Sequence, residues 1–478
     1  MGNRLKYLAG LLVLTALCLS GMWLSDRMAD QKQMNTQALQ SSDAAQQVPC
    51  DHDEAAFCSH LPLICITSGE EAIEYGVPHW CRIDLIDHPN GCNHPDDAPT
   101  TTSAATIWHR GQSSSRFEKK PYGISLYKKQ GDAKEQDLPL LGMAEGSDWV
   151  LHGPYLDKSL MQNRLMYTIA RETMFWAPDT RYCEVFLDGE YEGIYLLVES
   201  PRVSKTRIRF ADYALQSGET PYLLQRNRVG TDVNMVNSFG TYSSHTSYPV
   251  YIRYPNERRL TQRQYRWIET DLSKFERALY SEYFRDPERG YRAYIDLDSF
   301  VTYYILTEFS MNKDSGYLST YFCKDIGGKL MMGPIWDLNN GFDNYPGYPT
   351  APGADGDGFY IADNNWFERM MQDPAFVDAV VQKYRTLRKG VLSTENLLKM
   401  VDATEAYLGE SIERNSERWA YSFERNFLGK DENHQSREMR SHVKAVLKLK
   451  RIIRVRGKYL DENIEQLYHL CMEMEDAA

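Results

Sequence analysis

Apolar residues recur in two rhythms along the 478-residue chain. Between 59 and 128, short apolar stretches alternate with polar turns. They are Leu61-Pro-Leu-Ile-Cys-Ile-Thr-Ser-Gly, Cys81-Arg-Ile-Asp-Leu-Ile, Ala104-Ala-Thr-Ile-Trp and Tyr122-Gly-Ile-Ser-Leu-Tyr. Runs of this length bounded by turn residues predict strands. Residues 140–151 read as a compact turn and a further strand, and 183–199 as a hairpin whose Asp188-Gly189 pair marks the turn. Asp157 reads as the cap of a helix running to about Phe175, with Leu160, Leu165, Tyr167 and Ile169 among its apolar positions. Further along, the spacing predicts helices over 262–282, 298–310, 365–387, 394–420 and 436–472, the last with Val446, Leu449, Ile453, Leu460 and Ile464 in one stripe. A strand-rich half followed by a helix-rich half predicts an α+β protein with a cleft between two lobes.

One run stands apart. Residues 7–24 carry no charge and follow Arg4 and Lys6. As a helix the run spans about 27 Å, close to a hydrocarbon core of roughly 30 Å. The flanking bases predict a cytoplasmic stub at 1–6, a transmembrane signal anchor at 7–24 and an extracytoplasmic remainder, hence a single-pass cell-membrane protein. Ser20 and Gly21 near the end of the run leave a cleaved signal peptide as the alternative, while the length of the run and Trp23 favour the anchor. In either case the body is exported. Residues 25–49, rich in Gln, Ser, Asp and Ala without apolar periodicity, read as a flexible stalk.

Composition narrows the function classes. Hydrophobic residues make up 42% and charged residues 25%, which excludes wholesale disorder. The net charge of −12 excludes a global grip on nucleic acid or on an anionic membrane surface. Eight of nine cysteines lie beyond the apolar run, and an even number in an exported chain permits disulfides. Cys50, Cys58, Cys65, Cys81 and Cys92 lie among His52, His60, His79, His88 and His94, so zinc is a second option. No Cys-x-x-Cys or His-x3-His spacing occurs, and a disulfide-stapled N-terminal segment is the expectation.

Four segments could carry chemistry. Arg110-Gly-Gln-Ser-Ser-Ser-Arg116, leading to Lys119-Lys120-Pro-Tyr, combines small residues, hydroxyls and bases as a phosphate turn requires. Asp157-Lys158-Ser159 with Asn163-Arg164 opens a helix, where a capping Asp is the plain account. Asn312-Lys-Asp314-Ser follows a helix, and Gly333-Pro-Ile-Trp-Asp337-Leu-Asn339-Asn follows a strand pair. Two carboxylates on either side of a hairpin match a phosphoryl-transfer layout, in which one acid accepts a hydroxyl proton and the other holds Mg²⁺. The bases of the last helix (Lys444, Lys448, Lys450, Arg451, Arg454, Arg456, Lys458) read as a solvated face, and the Pro- and Gly-rich loop at 345–358 as a lid.

These stretches resemble the spore coat protein H (CotH) family of atypical kinase-like proteins. The resemblance rests on Arg110-Gly-Gln-Ser-Ser, Lys119-Lys-Pro-Tyr, Leu141-Gly-Met, Ser147-Asp-Trp-Val-Leu and Asp157-Lys-Ser with Asn163-Arg. It continues through the hairpin at 184–199, Asp314 with Ser319-Thr-Tyr, Gly333-Pro-Ile-Trp-Asp337, and Arg414-Asn with Arg418-Trp419. It implies an atypical protein-kinase-like two-lobed fold over 50–475, with a β-rich lobe at 50–225 and a helical lobe at 226–475. It also implies binding of ATP and Mg²⁺ (or Mn²⁺) and phosphorylation of Ser or Thr on exported, cell-surface or coat proteins. In those terms Asp314 is the catalytic base and Asp337 the principal metal ligand, with Asn339 helping to hold metal. Arg110, Ser113 and Ser114 line the phosphate turn, and either Lys119 or Lys120 contacts the nucleotide phosphates; strand parity leaves that choice open. Asn339 stands where the family commonly has Asp, which loosens a second Mg²⁺ unless Asp343 compensates. A surface-anchored binding or adhesion protein with weak catalysis, and transfer of AMP or a glutamyl unit, are the alternatives.

Overall fold

The computed structural model describes residues 57–69, 71–89, 91–111, 114–212, 218–230, 234–344, 356–424 and 439–469. The anchor and stalk readings, Cys50, Cys471, Ser113 and most of the predicted lid lie outside them. Among the described residues no helix is long and apolar enough to cross a membrane.

The early strands are β1 (Leu63–Thr67), β2 (His79–Ile86), β3 (Thr101–His109), β4 (Tyr122–Tyr127), β5 (Asp148–His152), β6 (Thr180–Leu187) and β7 (Glu190–Glu199). They close into a barrel in the order β1-β2-β3-β4-β5-β7-β6, sealed by a parallel pairing of β1 with β6 from Leu63↔Glu184 to Ile66↔Leu187. Alternation decides which side chains enter it: on β2, Cys81, Ile83 and Leu85 join the interior with Ile107, Trp149, Val185 and Tyr195, while Arg82 faces out. The expected β-rich region is therefore present, as a seven-stranded closed barrel rather than a kinase-type N-lobe. Cys65 and Cys81 show why the disulfide expectation fails for these two. They lie on opposite faces of the barrel wall, and both are thiols, as are Cys183 and Cys323. Burial pushes Cys65 up to about 11 and Cys81 up to about 12, so both remain protonated at neutral pH.

A helix, α1 (Gln162–Thr173), crosses from the barrel into the second core. That core is built from α2 (Gln262–Leu279), α3 (Leu297–Phe309), α4 (Pro374–Arg388), α5 (Thr394–Leu408), α6 (Ser411–Arg418) and α7 (His442–Asn463). Every residue of α3 from Ser299 to Phe309 is buried, the apolar and aromatic majority by packing and the polar Ser299, Thr302, Thr307 and Glu308 along with it. A second sheet, in the order β12-β11-β8-β10-β9, runs through this half. Its strands are β8 (Tyr222–Arg226), β9 (Met235–Val236), β10 (Val250–Tyr254), β11 (Thr320–Lys324) and β12 (Met331–Met332).

Several predicted boundaries move for local reasons. The helix expected over 365–387 is interrupted before Pro374, whose missing N–H suits the first turn of α4, with Asp373 accepting from Ala375 N at 3.1 Å. The one expected over 394–420 breaks at Gly409, which has φ 49°. Asp157 stands five residues ahead of α1 rather than at its cap, yet its Oδ2 still accepts from Gln162 N at 2.9 Å. The basic face of α7 is only partly solvated. Lys448 pairs with Asp343 at 3.1 Å, Lys450 with Asp402 at 2.6 Å, and Arg456 is fully buried against Glu308.

The motif Arg414-Asn415 with Arg418-Trp419 fastens α6 to the β6–β7 hairpin. Arg414 Nη2 donates to the buried Glu184 at 2.7 Å, and Trp419 Nε1 donates to Glu192 O at 3.0 Å. Asn415 Oδ1 accepts from Ile194 N at 3.1 Å. Gly193 beside it has φ 88°, and a β-carbon there would lie 2.5 Å from that same oxygen, so only glycine permits the approach.

Candidate active site

Asp314 lies in the turn leaving α3, and Asp337 follows β12, so the β11–β12 hairpin separates them as the sequence spacing suggests. Side chains from both arms join the ends. Asn340 Nδ2 donates to Asp314 Oδ2 at 2.8 Å, and Ser319 Oγ donates to Asp337 Oδ2 at 3.3 Å. Asn312, almost fully buried, donates to Ser315 Oγ at 3.0 Å and to the Asp337 carbonyl at 3.4 Å.

The backbone of Asp337 has φ 61°, a left-handed conformation that costs a non-glycine residue about 1–2 kcal/mol. Helix α1 holds it there. Tyr167 OH accepts from Asp337 N at 3.1 Å, and Asn163 Oδ1 accepts from Leu338 N at 2.8 Å. These two residues are four apart and so share one face of α1. Tyr167 also stacks on Trp336 with ring centres 5.9 Å apart, and the Arg110 guanidinium lies 5.5 Å from the Trp336 ring centre. Asn163 Nδ2 reaches back to His152 Nε2 at 3.0 Å.

Packing removes water from the Asp337 carboxyl, and the negative charge of Asp314 adds to the effect. Together they push it up to about 6, against the opposing pull of Arg110, the Ser319 hydroxyl and Arg228. A carboxyl perturbed by burial and by a neighbouring like charge is a candidate functional group. Asn339 Oδ1 is a buried acceptor with no hydrogen-bond partner among the described residues. With the two carboxylates it forms a set of hard oxygen donors, which fits Mg²⁺ in kind. Asp343, the compensating acid suggested by the sequence, is instead engaged by Lys448.

The remaining predicted residues fall around this centre. Arg110 ends the β3 side of the connection to β4, where its N–H donates to Pro121 O at 3.0 Å, and its charge acts on Asp337. Ser114 opens a single 3₁₀ turn, Ser114–Arg116, and Lys120 Nζ holds that turn by donating to Ser115 O at 2.9 Å. Lys119 is buried and turned elsewhere: its Nζ donates to Asn415 Oδ1 at 2.7 Å and lies 5.0 Å from the Tyr195 ring centre. It opens onto a cavity shared with Tyr155, Lys158, Asn415, Trp419 and His442. In that cavity burial pushes the Lys158 ammonium down to about 7, and Lys158 donates to Ser422 Oγ at 2.5 Å. Burial, then the charges of Lys119 and Arg110, push His152 down to about 4, which keeps this imidazole neutral.

The structure thus gathers Asp314, Asp337 and Arg110, with Asn339 alongside, and sets Lys119 in an adjoining basic cavity. Tyr167 and Asn340 are participants to which the sequence assigned no role, and Lys158 and Asn163 lay in a segment read plainly as a capped helix start. Their signal was present in the pairing of Asn163 with Tyr167 on one helix face and in the second Asn after Asp337.

A mixed α+β protein with a coupled carboxylate pair beneath a basic turn is the class that fold and site define. The family model described as CotH kinase protein matches residues 107–460, and the chain belongs to that family. No curated protein matches it.

Proposed function

We propose that this protein is an ATP- and Mg²⁺-dependent protein kinase acting on Ser or Thr hydroxyls of exported or cell-surface proteins, anchored to the cell membrane by residues 7–24. The observation that carries the reading is the coupling of Asp314 and Asp337 across one hairpin, with Arg110 beside Asp337. Family membership points the same way. Asp314 accepts the proton of the attacking hydroxyl, held in orientation by Asn340. Asp337 and Asn339 offer the oxygens for Mg²⁺ or Mn²⁺, which when bound neutralises charge on the phosphate oxygens. Arg110 supplies fixed positive charge toward the transferred group, and Ser114 and Lys120 shape the turn that receives the phosphates. Lys119 reaches phosphate only by leaving Asn415.

The test uses purified chain with Mg²⁺ or Mn²⁺ and ATP labelled at either the γ or the α position, beside an Asp337→Ala control. Label transfer from the γ position that disappears in the control supports the kinase reading. Retention of α label on protein indicates AMP transfer instead. The engagement of Asp343 by Lys448, together with Asn at 339, favours a second reading: a surface-anchored binding or adhesion protein with weak catalysis. Absence of nucleotide binding at millimolar ATP would leave that reading alone.

A further inference from the structure

We propose that Cys58, Cys92 and His94 bind a zinc ion that clasps the segment before β1 to the loop between β2 and β3. The site shares no residue with the carboxylate pair and does not depend on any reading of it.

Backbone pairing creates the constellation. Ser59 and Asn93 form an antiparallel bridge, exchanging N–H···O bonds at 3.0 and 2.9 Å. Residues opposite one another in such a pair share a face, and so do residues two apart on one strand. Cys58 is therefore set against His94, and Cys92 falls on the same side. Their donor atoms all lie within 4.8 Å of one another. The two sulfurs are 3.5 Å apart, and Cys92 Sγ is 3.3 Å from His94 Nε2.

Those distances suit one metal and do not suit a bond between the sulfurs. Tetrahedral zinc, with Zn–S about 2.3 Å and Zn–N about 2.0–2.1 Å, places two thiolate sulfurs about 3.8 Å apart and sulfur and nitrogen about 3.6 Å apart. The observed separations fall within a few tenths of an ångström of both. A disulfide requires about 2.05 Å. Two soft thiolates with one imidazole select zinc over the hard cations that suit oxygen ligands.

The surroundings hold the donors in place. Cys92 and His94 are 8% and 4% exposed, and Asn93 between them is fully buried. Asn93 Nδ2 donates to Leu61 O at 3.0 Å, while its Oδ1 accepts from His88 N at 2.8 Å. His94 N donates to Asp97 Oδ2 at 2.9 Å. Ser59 Oγ is also reached by Arg414 Nη2 at 3.3 Å, so the clasp touches the α6 anchor as well. The sequence lacked the paired spacings that signal zinc because these ligands come from two strands, thirty-four positions apart for the cysteines.

Binding converts two thiols to thiolates: one Zn²⁺ enters, two protons leave, and the site is neutral with neutral imidazole. The fourth position of the tetrahedron is taken by water or by another side chain.

The test measures the metal content of the purified full chain by elemental analysis, and the spectrum after exchange with Co²⁺. About one zinc per chain, a thiolate-to-cobalt charge-transfer band, and loss of both in Cys92→Ser and His94→Asn support the site. Should Cys92→Ser fail to fold, the band in the unaltered chain and its change in His94→Asn carry the same decision. No retained zinc after dialysis against micromolar Zn²⁺, or a Cys58–Cys92 disulfide found by peptide mass, overturns it. So does copper in place of zinc.

Discussion

Asn340 donates to Asp314 across 2.8 Å and so ties the turn after α3 to the segment carrying Asp337. One amide fixes the proposed proton acceptor relative to the proposed metal ligand, and it does so from the residue after Asn339, whose own side-chain oxygen has no partner among the described residues. The centre is held by bonds among its own members, and strained at Asp337.

Asp337→Asn separates chemistry from stability. Phosphoryl transfer is expected to fall by roughly 10²–10³ or more, as when a charge-stabilising group is removed from an active site. Thermal stability is expected to rise, by about 0.5–2 kcal/mol, because the repulsion from Asp314 ends and Asn tolerates the left-handed backbone better. Denaturation curves and label transfer, measured together, decide the matter: a less stable Asn variant means the carboxylate is structural.

Asn163→Ala probes positioning. It leaves the buried Leu338 N–H without an acceptor, a loss of about 1–3 kcal/mol. Activity is expected to drop through kcat with little change in KM for ATP, since no nucleotide contact is removed. A change confined to KM contradicts this role.

Arg414→Met leaves Glu184 buried and without its guanidinium. The expected cost is about 3–5 kcal/mol, with partial recovery in the Glu184→Gln, Arg414→Met double variant. Urea denaturation of the four proteins in the cycle measures it.

Lys158 predicts a pH dependence. In the fold its ammonium is pushed down to about 7 by burial, against an ordinary value of 10.5. From pH 7 upward the folded protein releases this proton while the unfolded chain keeps it, so the unfolded state binds more protons and stability rises with pH. Below pH 7 the desolvation cost stands in full. Lys158→Met should flatten the rise between pH 7 and 9, with a difference of a few kcal/mol across the whole window. Equal slopes in the two proteins overturn this.

The elements were largely legible because strands and helices write their own periods. The β2 alternation and the Asp188-Gly189 turn read directly, as did the hairpin between Asp314 and Asp337. Closure of the barrel did not, since the pairing of β1 with β6 joins residues about 120 positions apart and leaves no local pattern. The same applies to Lys119. Strand parity could not choose between it and Lys120, because the partner that decides, Asn415, arrives from α6. Arg456 misled for a related reason: it sits in a basic stretch but answers a carboxylate on α3.

Barrel closure has a consequence for how an extended peptide can approach. Among the described residues the seven-stranded wall has no first or last strand, and the outer strands of the second sheet, β9 and β12, are two residues long. An extended peptide that seeks a row of unpaired amides finds none on the described barrel wall. Among the described residues the barrel therefore offers strand addition no free edge to start from.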